Sequence, residues 1–448
     1  MTQETLLEGW GRWPKRRCRV ERLDPATAHE HAQALKAGAI ARGMGRSYGD
    51  ASMHPPLTLD ALDRNRFIEF DDETGLLVAE AGVTLAEIIQ TFLPKGWFPM
   101  VTPGTKFVTL GGAVAGDVHG KNHHRVGSFG DHVAWFDLLC ADGKVRRCST
   151  QSNQDLFLAT IGGAGLTGHL LVVACHLKKV PSAWIRQRTL PAENLDAAIR
   201  SFEANHDATY SVAWIDCLAR GDQLGRSLVL LGEHAEPEEL DVKHRPNPFS
   251  VPVRRKKTMP LDAPSWSLNR WSLRAFNALY YRKGSAPPLD RVIDYDRYFY
   301  PLDAILRWNR LYGARGFSQY QTAIPLENAR DALAEQLELI AQSGLGSFLA
   351  VLKRFGPGSP QRPLSFPIEG YTLALDFPLS SAALTLMDQL DEITVAAGGR
   401  TYLMKDSRMS QKTFEAGYGD AVDAFRALRS DIGADRMFAS LMSRRLGL

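Results

Sequence analysis

Hydrophobic and polar positions in the first part of the chain repeat with two different spacings. Apolar residues recur every three or four positions in residues 24–38 and 83–96, which is typical of amphipathic helices. Residues 67–80 and 133–148 instead alternate on both sides of a turn, so each segment predicts a β-hairpin. The Asp142-Gly143 pair in the second hairpin predicts a type I′ turn.

The pattern changes after about residue 183. Between residues 184 and 399, strand-like and helix-like segments follow one another in an order typical of an antiparallel sheet with helices on one face. An irregular excursion at about residues 235–290 interrupts this order. The chain therefore predicts an α+β fold with two domains. The first comprises residues 1–183 and is completed by residues 400–448, and the second comprises residues 184–399.

Composition excludes several classes of protein. The chain has 448 residues, is 44% hydrophobic and 23% charged, and has a net charge of +3, which is ordinary for a globular protein and does not suggest binding to nucleic acid. Its five dispersed cysteines indicate reduced thiols. Since neither a signal peptide nor an apolar run long enough to span a bilayer is recognisable, we expect a cytoplasmic protein.

Two segments concentrate glycine. Residues 39–52 follow a short apolar strand and contain Gly43, Gly45 and Gly49. Residues 102–132 contain many more glycines, namely Gly104, Gly111, Gly112, Gly116, Gly120, Gly127 and Gly130. Four histidines lie in the same segment, namely His119, His123, His124 and His132. Because glycine has no Cβ, its backbone can approach a ligand closely, so this density predicts that the backbone itself binds a group such as a phosphate.

Three common ligand-binding patterns fit the sequence poorly. Gly163–Gly168 matches G-x-G-x-x-G, but a strand-like segment follows it where a helix is required. A glycine turn into a core strand, or a backbone contact with a nucleotide, are the alternatives. A Walker A loop is excluded because Asn122 follows Lys121. The histidines lack zinc-ligand spacing, which favours hydrogen-bonding or packing roles, and no metal site is predicted.

Polar side chains interrupt several apolar strands near the end of the chain. Lys353 and Lys405 each lie in a strand-like segment, where burial of an unpaired ammonium is costly and lowers its pKa. They are either strand-edge lysines in solvent or members of a functional site. Gln319 and Gln321 alternate within one strand and therefore share a face. On a polar pocket they are expected to contact hydroxyl groups.

The excursion mixes cations with aromatic residues. A basic run, Arg254–Lys257, precedes the aromatic residues Trp266, Trp271, Phe276, Tyr280 and Tyr281. A solvated loop is the simpler interpretation. The alternative is contact with an anionic membrane surface or with a lipid-linked substrate.

Several of these segments together resemble the vanillyl-alcohol-oxidase-type (PCMH-type) family of FAD-linked oxidoreductases. The similar motifs are ARGMGRSYGD, TPGTKFVTLGGAVAGDVHGKNHH, IGGAGLTG, LSFPIEGYTLALDFP, KDSR and FASLMSRRL. The resemblance extends along nearly the whole chain, and it implies an FAD domain split in sequence around a substrate domain. GDVHGKNHH and KDSR resemble a branch that oxidises the 2′-hydroxyl of a polyprenyl-phosphoryl ribose, as the oxidase half of a two-component 2′-epimerase. The resemblance therefore also implies an NAD(P)H-dependent keto-sugar reductase partner.

The resemblance implies that the cofactor lies on the two glycine loops, next to a backbone contact at the adenine end and a tyrosine beside the flavin. The implied residues are Ala41, Arg42, Gly43, Met44, Gly45, Arg46, Ser47, Tyr48, Gly49, Asp50, Ala51, Gly104, Thr109, Leu110, Gly111, Gly112, Gly116, Asp117, Val118, His119, Leu171 and Tyr402. Many relatives carry a histidine that bonds FAD covalently at the position of Arg46. The arginine implies non-covalent FAD.

The same resemblance implies the reacting residues. Lys405 matches a lysine that the family needs for activity, and Tyr48 and His119 match residues on the flavin side. Substrate contacts are implied for Gln319, Gln321, Lys353 and Lys405. At the position of Ala374, one branch of the family has a cysteine that covalent inhibitors attack, so inhibitors needing that thiol are not expected to react here.

The expected reaction is the oxidation of a sugar secondary alcohol to a ketone. Two alternatives stay open: a soluble alditol or aldonolactone oxidase with the same cofactor, and a flavin-free binding protein on the same fold. Lipid-linked and free sugars are therefore both candidate substrates, and peripheral contact with the inner face of the membrane is a further expectation.

Overall fold

The structure is a computed structural model that describes residues 3–35, 37–252, 255–264, 268–347 and 349–448. Arg254 and Trp266 of the basic–aromatic excursion lie outside the described residues. The α+β prediction is confirmed, because helices and largely antiparallel sheets make up the described chain.

The first sheet precedes the glycine loops and has four strands. They are β1 (Gln3–Glu8), β2 (Lys15–Arg22), β3 (Ile40–Arg42) and β4 (Thr58–Asp60), in the order β1-β2-β4-β3. Helix α1 (Pro25–Leu35) follows β2, and the Asp24 carboxylate accepts a hydrogen bond from the backbone N–H of Ala26 at 3.0 Å. This contact is the helix cap that the sequence predicts. The first glycine-rich segment leaves directly from β3.

The second sheet has six strands. They are β5 (Phe67–Phe70), β6 (Leu76–Glu80), β7 (Trp97–Pro99), β8 (Val133–Leu139), β9 (Val145–Ser149) and β10 (His169–Lys179). The order is β5-β6-β10-β8-β9, and β7 pairs with β10. Both predicted hairpins are present, but the predicted type I′ turn is wrong. Gly143 has a positive φ of 77° whereas Asp142 does not, and a type I′ turn requires both.

Short helices connect the strands of the second sheet. They are α2 (Leu85–Phe92), α3 (Leu110–Ala115), α4 (His123–Val126) and α5 (Gln154–Thr160). Leu77, Phe136 and Val173 are fully buried in the hydrophobic core between this sheet and its helices. Helices α3 and α4 lie within the second glycine-rich segment, so this core also fixes the position of that segment.

The third sheet is antiparallel and has eight strands. Its strands are β11 (Trp184–Ala192), β12 (Tyr210–Ile215), β13 (Ser227–His234), β15 (Asp290–Asp294), β17 (Phe317–Pro325), β18 (Ala350–Phe355), β19 (Gly370–Pro378) and β20 (Arg400–Thr401). The same part of the chain contains two further strands, β14 (Lys257–Thr258) and β16 (Ile305–Leu306). The order is β15-β11-β13-β12-β18-β19-β17-β20, while β14 and β16 form a separate parallel pair.

The helices of this region are α6 (Leu195–Glu203), α7 (Arg270–Gly284), α8 (Tyr295–Phe299), α9 (Leu326–Ser343) and α10 (Ser381–Ala396). One face of the third sheet carries Tyr320, Leu352 and Leu373, which are buried in one core with side chains of α6, α9 and α10. Because side chains of a strand alternate between faces, the residues between these positions point away from the helices. That second face carries polar residues.

The excursion is more ordered than predicted. It contains α7, a helix of 15 residues whose first turn is capped by the Asn269 side chain. The irregular description holds for the segment before it, where the described regular elements are a short 3₁₀ helix (Pro237–Glu239) and β14. None of the helices in the described ranges is long and apolar enough to cross a membrane.

The last part of the chain forms four short helices, α11 (Gln411–Tyr418), α12 (Ala421–Asp431), α13 (Ala434–Met437) and α14 (Leu441–Leu446). Phe425 and Met442 of these helices share a buried core with Ile40 of β3 and with Ala164 and Leu166 of the IGGAGLTG turn. The end of the chain therefore packs against the beginning, around the first glycine-rich segment.

Candidate active site

The two glycine-rich segments meet. We call residues 41–51 the first glycine loop and residues 104–119 the second. The side chain of Thr109 caps α3 by accepting a hydrogen bond from Gly112 N, and a Cβ on Gly43 would lie 2.4 Å from its Oγ1. Gly49 is equally restricted, since its Cβ would lie 2.1 Å from the carbonyl oxygen of Asp406. The close packing of the loops therefore requires glycine at both positions.

Next to this contact, parts of both loops face open space. Met44 is 36% exposed, Gly112 is exposed, and a Cβ on Gly104 would meet no atom within 4 Å. The turn at Gly163–Gly168 packs behind α3, because Gly162 N and Ala164 N donate to the carbonyl oxygens of Val114 and Ala115. The exposed backbone is thus held by buried neighbours on its other side.

Two carboxylates predicted to lie at the cofactor are used for structure. Asp117 accepts hydrogen bonds from Gly130 N at 2.9 Å, Ser365 Oγ at 2.6 Å and Arg362 Nη1 at 3.4 Å. Asp50 pairs with Arg445 of α14 at 2.8 Å. The side chains of Asp117 and Asp50 therefore stabilise the loops. At these two positions only the backbone is left to contact a ligand.

The two arginines of the first loop have different roles. Arg42 donates to the carbonyl oxygen of Glu8 at 2.7 Å and to Ser52 Oγ at 3.1 Å, so it closes the loop internally. Arg46 lies with its guanidinium carbon 4.1 Å from the Trp10 ring centroid and 5.3 Å from that of Phe107. Its Nε is buried without a hydrogen-bond partner in the described chain.

His119 ends the second loop and has a defined protonation state. Its pKa lies well below the ordinary value because the ring is buried and lies near the Lys353 ammonium, so it is neutral at pH 7. Gln321 Nε2 lies 2.9 Å from His119 Nε2, and an amide nitrogen can only donate. The ring proton is therefore on Nδ1, a buried atom without a partner among the described residues.

Tyr402 closes the site behind His119. Its hydroxyl donates to the carbonyl oxygen of Gly116 at 2.7 Å, and its ring stacks on Phe366 with centroids 4.7 Å apart. Leu171 lies elsewhere, in an irregular step of β10 where the register with β8 shifts, and its carbonyl oxygen accepts from Ala81 N at 2.9 Å. It packs near Ala41, the start of the first loop, and not near the lysines.

The polar face of the third sheet lies opposite His119. Cross-strand pairs place Gln319 beside Asp376 and Gln321 beside Ala374, and Ala374 in turn beside Val351. Strand β19 is interior to the sheet, yet Ala374 is partly exposed between buried Leu373 and Leu375, as is Val351 on the next strand. The side chains of Ala374 and Val351 are therefore open on this face, and we call the space over them the cavity.

Two lysine ammonium groups border this cavity. Lys405 Nζ lies 3.8 Å from the Tyr48 ring centroid, and Lys353 Nζ lies 5.7 Å from that of Phe355. Burial, together with Lys405 and Lys121 nearby, lowers the pKa of Lys353 to about 7. Burial also lowers the pKa of Lys405, which the carboxylate of Asp376 partly opposes. In the part of the chain that the structure describes, neither ammonium forms a hydrogen bond or ion pair, so both are available to a ligand.

The structure adds residues that the sequence reasoning did not assign. Lys121 donates to the carbonyl oxygen of Tyr298, and burial lowers its pKa to about 7. Asp376 is fully buried beside Gln319. Thr372 accepts from Gln321 Nε2 at 3.1 Å and so helps to hold that amide against His119. The available signal was a charged residue within an apolar strand, which identified Lys353 but was not applied to Asp376.

The other histidines pack or form hydrogen bonds. His124 Nε2 lies 2.8 Å from the carbonyl oxygen of Ala208, and His132 Nε2 lies 2.9 Å from that of Val126. Burial lowers the pKa of His123 to about 3, and its ring lies 4.4 Å from that of Phe355. Within the described ranges, no three His, Cys, Asp or Glu residues lie together in a way that could hold a metal ion.

The site fits a bound dinucleotide of the FAD type. The exposed glycine backbone suits a pyrophosphate, and the unpartnered Nδ1–H of His119 and Nε–H of Arg46 are buried donors that suit acceptor atoms of such a group. Residues 24–149 match the FAD binding domain family. The fold and the site therefore define a protein that binds FAD.

Comparison with curated proteins identifies the family. The decaprenylphosphoryl-beta-D-ribose oxidase of Mycolicibacterium smegmatis is 37% identical over 458 aligned residues, which span 100% of this chain and 98% of the relative. The Delta(24)-sterol reductase of Homo sapiens is 27% identical over 33% of this chain and 28% of its own length. The L-gulonolactone oxidase of Bos taurus is 27% identical over 36% and 37%, respectively. The chain belongs to the decaprenylphosphoryl-β-D-ribose oxidase family of FAD-linked oxidoreductases.

Proposed function

We propose that this protein oxidises the 2′-hydroxyl of a polyprenyl-phosphoryl ribose to a ketone. The observation that carries the proposal is the cavity over Ala374, bordered by the unpaired ammonium groups of Lys353 and Lys405 and facing the glycine loops through His119. Similarity to a ribose oxidase over the full chain supports the choice of substrate.

The residues of this chain orient the sugar and manage its proton. When bound, FAD would accept the hydride of the sugar C–H bond, which carries both electrons of the oxidation, while the hydroxyl proton goes to a base. Lys405 holds the reacting hydroxyl or stabilises the charge that develops there, and Gln321 and Lys353 contact the neighbouring hydroxyls. Tyr48 and the neutral His119 form the wall on the cofactor side, and the Tyr48 ring also fixes the position of the Lys405 ammonium.

The phosphate of the substrate requires cations outside the reaction cavity, and we propose Arg46 and Lys256 for this role. The Lys256 Nζ lies 4.2 Å from the Phe107 ring centroid, and the Arg46 guanidinium lies near the same ring. Arg46 also lies in the first glycine loop two residues before Tyr48, which connects these cations to the cavity. Two cations on one aromatic ring suit a phosphodiester anion.

We further propose the division into an FAD domain of residues 1–183 and 400–448 and a substrate domain of residues 184–399. The second and third sheets each have a hydrophobic core of their own, and the C-terminal helices pack on the first glycine loop's side of the molecule. These cores support a division into two domains, while β20 (Arg400–Thr401) pairs with β17 and so belongs to the third sheet.

We propose that FAD is held without a covalent bond, because Arg46 stands where many relatives have the linking histidine. A guanidinium remains protonated at neutral pH and offers no free lone pair for attack. Acid precipitation of the purified protein tests this proposal. Yellow colour is expected in the supernatant, and colour that stays in the pellet would contradict it.

The proposal includes two partners, a keto-sugar reductase dependent on NAD(P)H and the membrane that holds the lipid. Helix α7 supports peripheral contact at the cytoplasmic face, because Trp271 and Leu279 are 66% and 64% exposed and Arg282 and Lys283 lie near its end. Such a combination suits an anionic lipid surface. Sedimentation with anionic and neutral vesicles tests it, and equal recovery in the supernatant with both would contradict membrane contact.

A soluble aldonolactone-type oxidase is the second candidate, favoured by the partial similarity to L-gulonolactone oxidase. Anaerobic titration of the flavin absorbance separates the two candidates. Bleaching by polyprenyl-phosphoryl ribose but not by free polyols or lactones supports the first. Bleaching by the free sugars alone supports the second, and a purified protein without flavin absorbance would favour a binding protein.

The role of Lys405 is tested by Lys405→Ala, which removes the ammonium over Tyr48. We expect yellow, FAD-loaded protein whose flavin is no longer reduced by substrate. The exposed Lys412 provides the matched control, and Lys412→Ala should reduce at the wild-type rate. Unchanged reduction kinetics in Lys405→Ala would refute the assignment.

A further inference from the structure

Three aromatic rings and one amide hold the imidazole of His119. Its ring centroid lies 4.8, 5.6 and 5.2 Å from those of Phe355, Phe366 and Tyr402, respectively. Its Nε2 lies 2.9 Å from Gln321 Nε2. The residue is 6% exposed, and its Nδ1 is buried without a partner in the described chain. These contacts fix the orientation of the ring and leave one polar atom for a ligand.

The amide of Gln321 is held in turn from the neighbouring strand. Gln321 lies on β17, and its Nε2 donates to Thr372 Oγ1 of β19 at 3.1 Å. Both residues are buried, at 2% and 1% exposure. An amide nitrogen carries two hydrogens, and here one faces Thr372 and the other faces His119. The acceptor Oε1 is therefore the polar atom of the Gln321 amide that is left for a ligand.

These contacts decide where the ring proton of His119 lies. The ring is neutral, because burial keeps its pKa well below the ordinary value, so it carries one proton. Its Nε2 accepts from an amide nitrogen, which can only donate, and the proton is thus on Nδ1. A buried N–H without an acceptor is costly, so a bound group is expected to supply one. His119 ends the second glycine loop, which makes the cofactor the group within reach.

We propose that Thr372 is a positioning residue, which acts through Gln321 to keep the ring proton of His119 on Nδ1, where it donates to an acceptor atom of bound FAD. Thr372 touches neither cofactor nor substrate in this proposal. A second consequence rests on the proposed function. Since only the Oε1 of the Gln321 amide remains free, the sugar hydroxyl beside it must donate its hydrogen to this oxygen.

The test determines the tautomer of His119 directly in the FAD-loaded protein. With 15N-labelled histidine, solid-state NMR distinguishes a protonated ring nitrogen from an unprotonated one, and the His119 signals are those missing in His119→Gln. In the wild type we expect a protonated Nδ1 and an unprotonated Nε2. Gln321→Glu places a carboxylate of similar shape opposite Nε2. Because a carboxylate only accepts, Nε2 should become protonated in this variant.

Thr372→Val tests the positioning role, since it removes the acceptor of the Gln321 amide and keeps the shape of the side chain. We expect a second His119 signal with protonated Nε2, because the amide can then turn its oxygen towards the ring. Thr322→Val is the matched control. Thr322 lies next to Gln321 on the same strand, but its hydroxyl donates to Thr394 at 3.2 Å on the opposite face of the sheet. Its His119 spectrum should equal that of the wild type.

The release of FAD on dilution of the loaded protein tests the donor role of Nδ1 without turnover. The amide nitrogen of asparagine lies close to the position of histidine Nδ1, whereas that of glutamine lies close to Nε2. His119→Asn should therefore release FAD within about twofold of the wild-type rate, and His119→Gln about fivefold faster or more, the factor typical of one hydrogen bond. Faster release from His119→Asn than from His119→Gln would contradict a donor at Nδ1.

A proton on Nε2 in the wild type would mean that the Gln321 amide is reversed, and it would overturn the proposal. An unchanged tautomer in a folded Gln321→Glu protein would do the same, and an unchanged spectrum in Thr372→Val would remove the role of Thr372. If Gln321→Glu does not fold, Thr372→Val and the two His119 variants still decide the question. If the sugar is not oxidised at all, the proposed function fails, whereas the NMR measurement needs only bound FAD.

Discussion

Arg445 of α14 bridges two buried carboxylates, and its removal should destabilise the protein. Its guanidinium lies 2.8 Å from both Asp50 of the first glycine loop and Asp406 of the KDSR motif. The side chains of Asp50 and Asp406 are only 6% and 2% exposed, while that of Arg445 is 22% exposed. Breaking a buried ion pair typically costs about 3–5 kcal/mol, and the partial exposure of Arg445 places Arg445→Met near about 3 kcal/mol. Because the entropy of unfolding grows with chain length, a chain of 448 residues loses about 1 °C per kcal/mol, so Tm should fall by about 3 °C.

The assay is thermal unfolding of the FAD-loaded variant, followed by circular dichroism and by the rise in flavin fluorescence. The neighbouring Arg444 is exposed, and among the described residues its polar contacts are 3.4 Å to Ala37 O and to His54, so Arg444→Met should change stability by less than about 0.5 kcal/mol. Adding Asp406→Asn to Arg445→Met should recover part of the loss, because one unpaired charge is removed. The reasoning is refuted if Arg445→Met melts within the error of Arg444→Met.

Three further predictions concern the loops and the cavity. Gly49→Ala should lose most of its FAD during gel filtration, since the Cβ would lie 2.1 Å from the Asp406 carbonyl, and full FAD retention would contradict the packing. Ala374→Phe should fill the open cavity, so that substrate reduces the flavin at least about tenfold more slowly while Tm changes little; wild-type kinetics would place the substrate elsewhere. The rate of flavin reduction should fall as pH rises through a midpoint below the ordinary lysine value of 10.5, because burial lowers the pKa of Lys405 and the ammonium form is the active one. A rate that rises with pH through this midpoint would indicate that neutral Lys405 acts as the base.

Local patterns predicted much of the secondary structure. The cap of α1 by Asp24, both hairpins and the segment that forms β17 depend on residues close in sequence, and the structure contains each of them. The predicted turn type failed at Asp142, because the loop forms a hydrogen bond from Gly143 N to Cys140 O that leaves only Gly143 with a positive φ. The helix within the excursion was missed because proline-rich and basic flanking segments obscured its apolar spacing.

Some residues of the site were predicted from the sequence and others were not, because contacts between distant segments do not show in local patterns. Gln319, Gln321 and Lys353 were noticed as polar residues in apolar strands, and they do share one face of the third sheet. Asp376 carries the same signal but was not singled out. Asp117 was expected at the cofactor, yet its carboxylate is occupied by Gly130, Ser365 and Arg362.

The sequence by itself determined the elements, the two glycine loops and the family, because these depend on local spacing and on motifs that can be read along the chain. Only the tertiary structure decided which side chains share the cavity. Strand order places β19 between β17 and β18, although α9 separates β17 from β18 in sequence, and Arg445 near the C-terminus pairs with Asp50. The pairing of strands that are distant in sequence decides which charged side chains are buried next to one another.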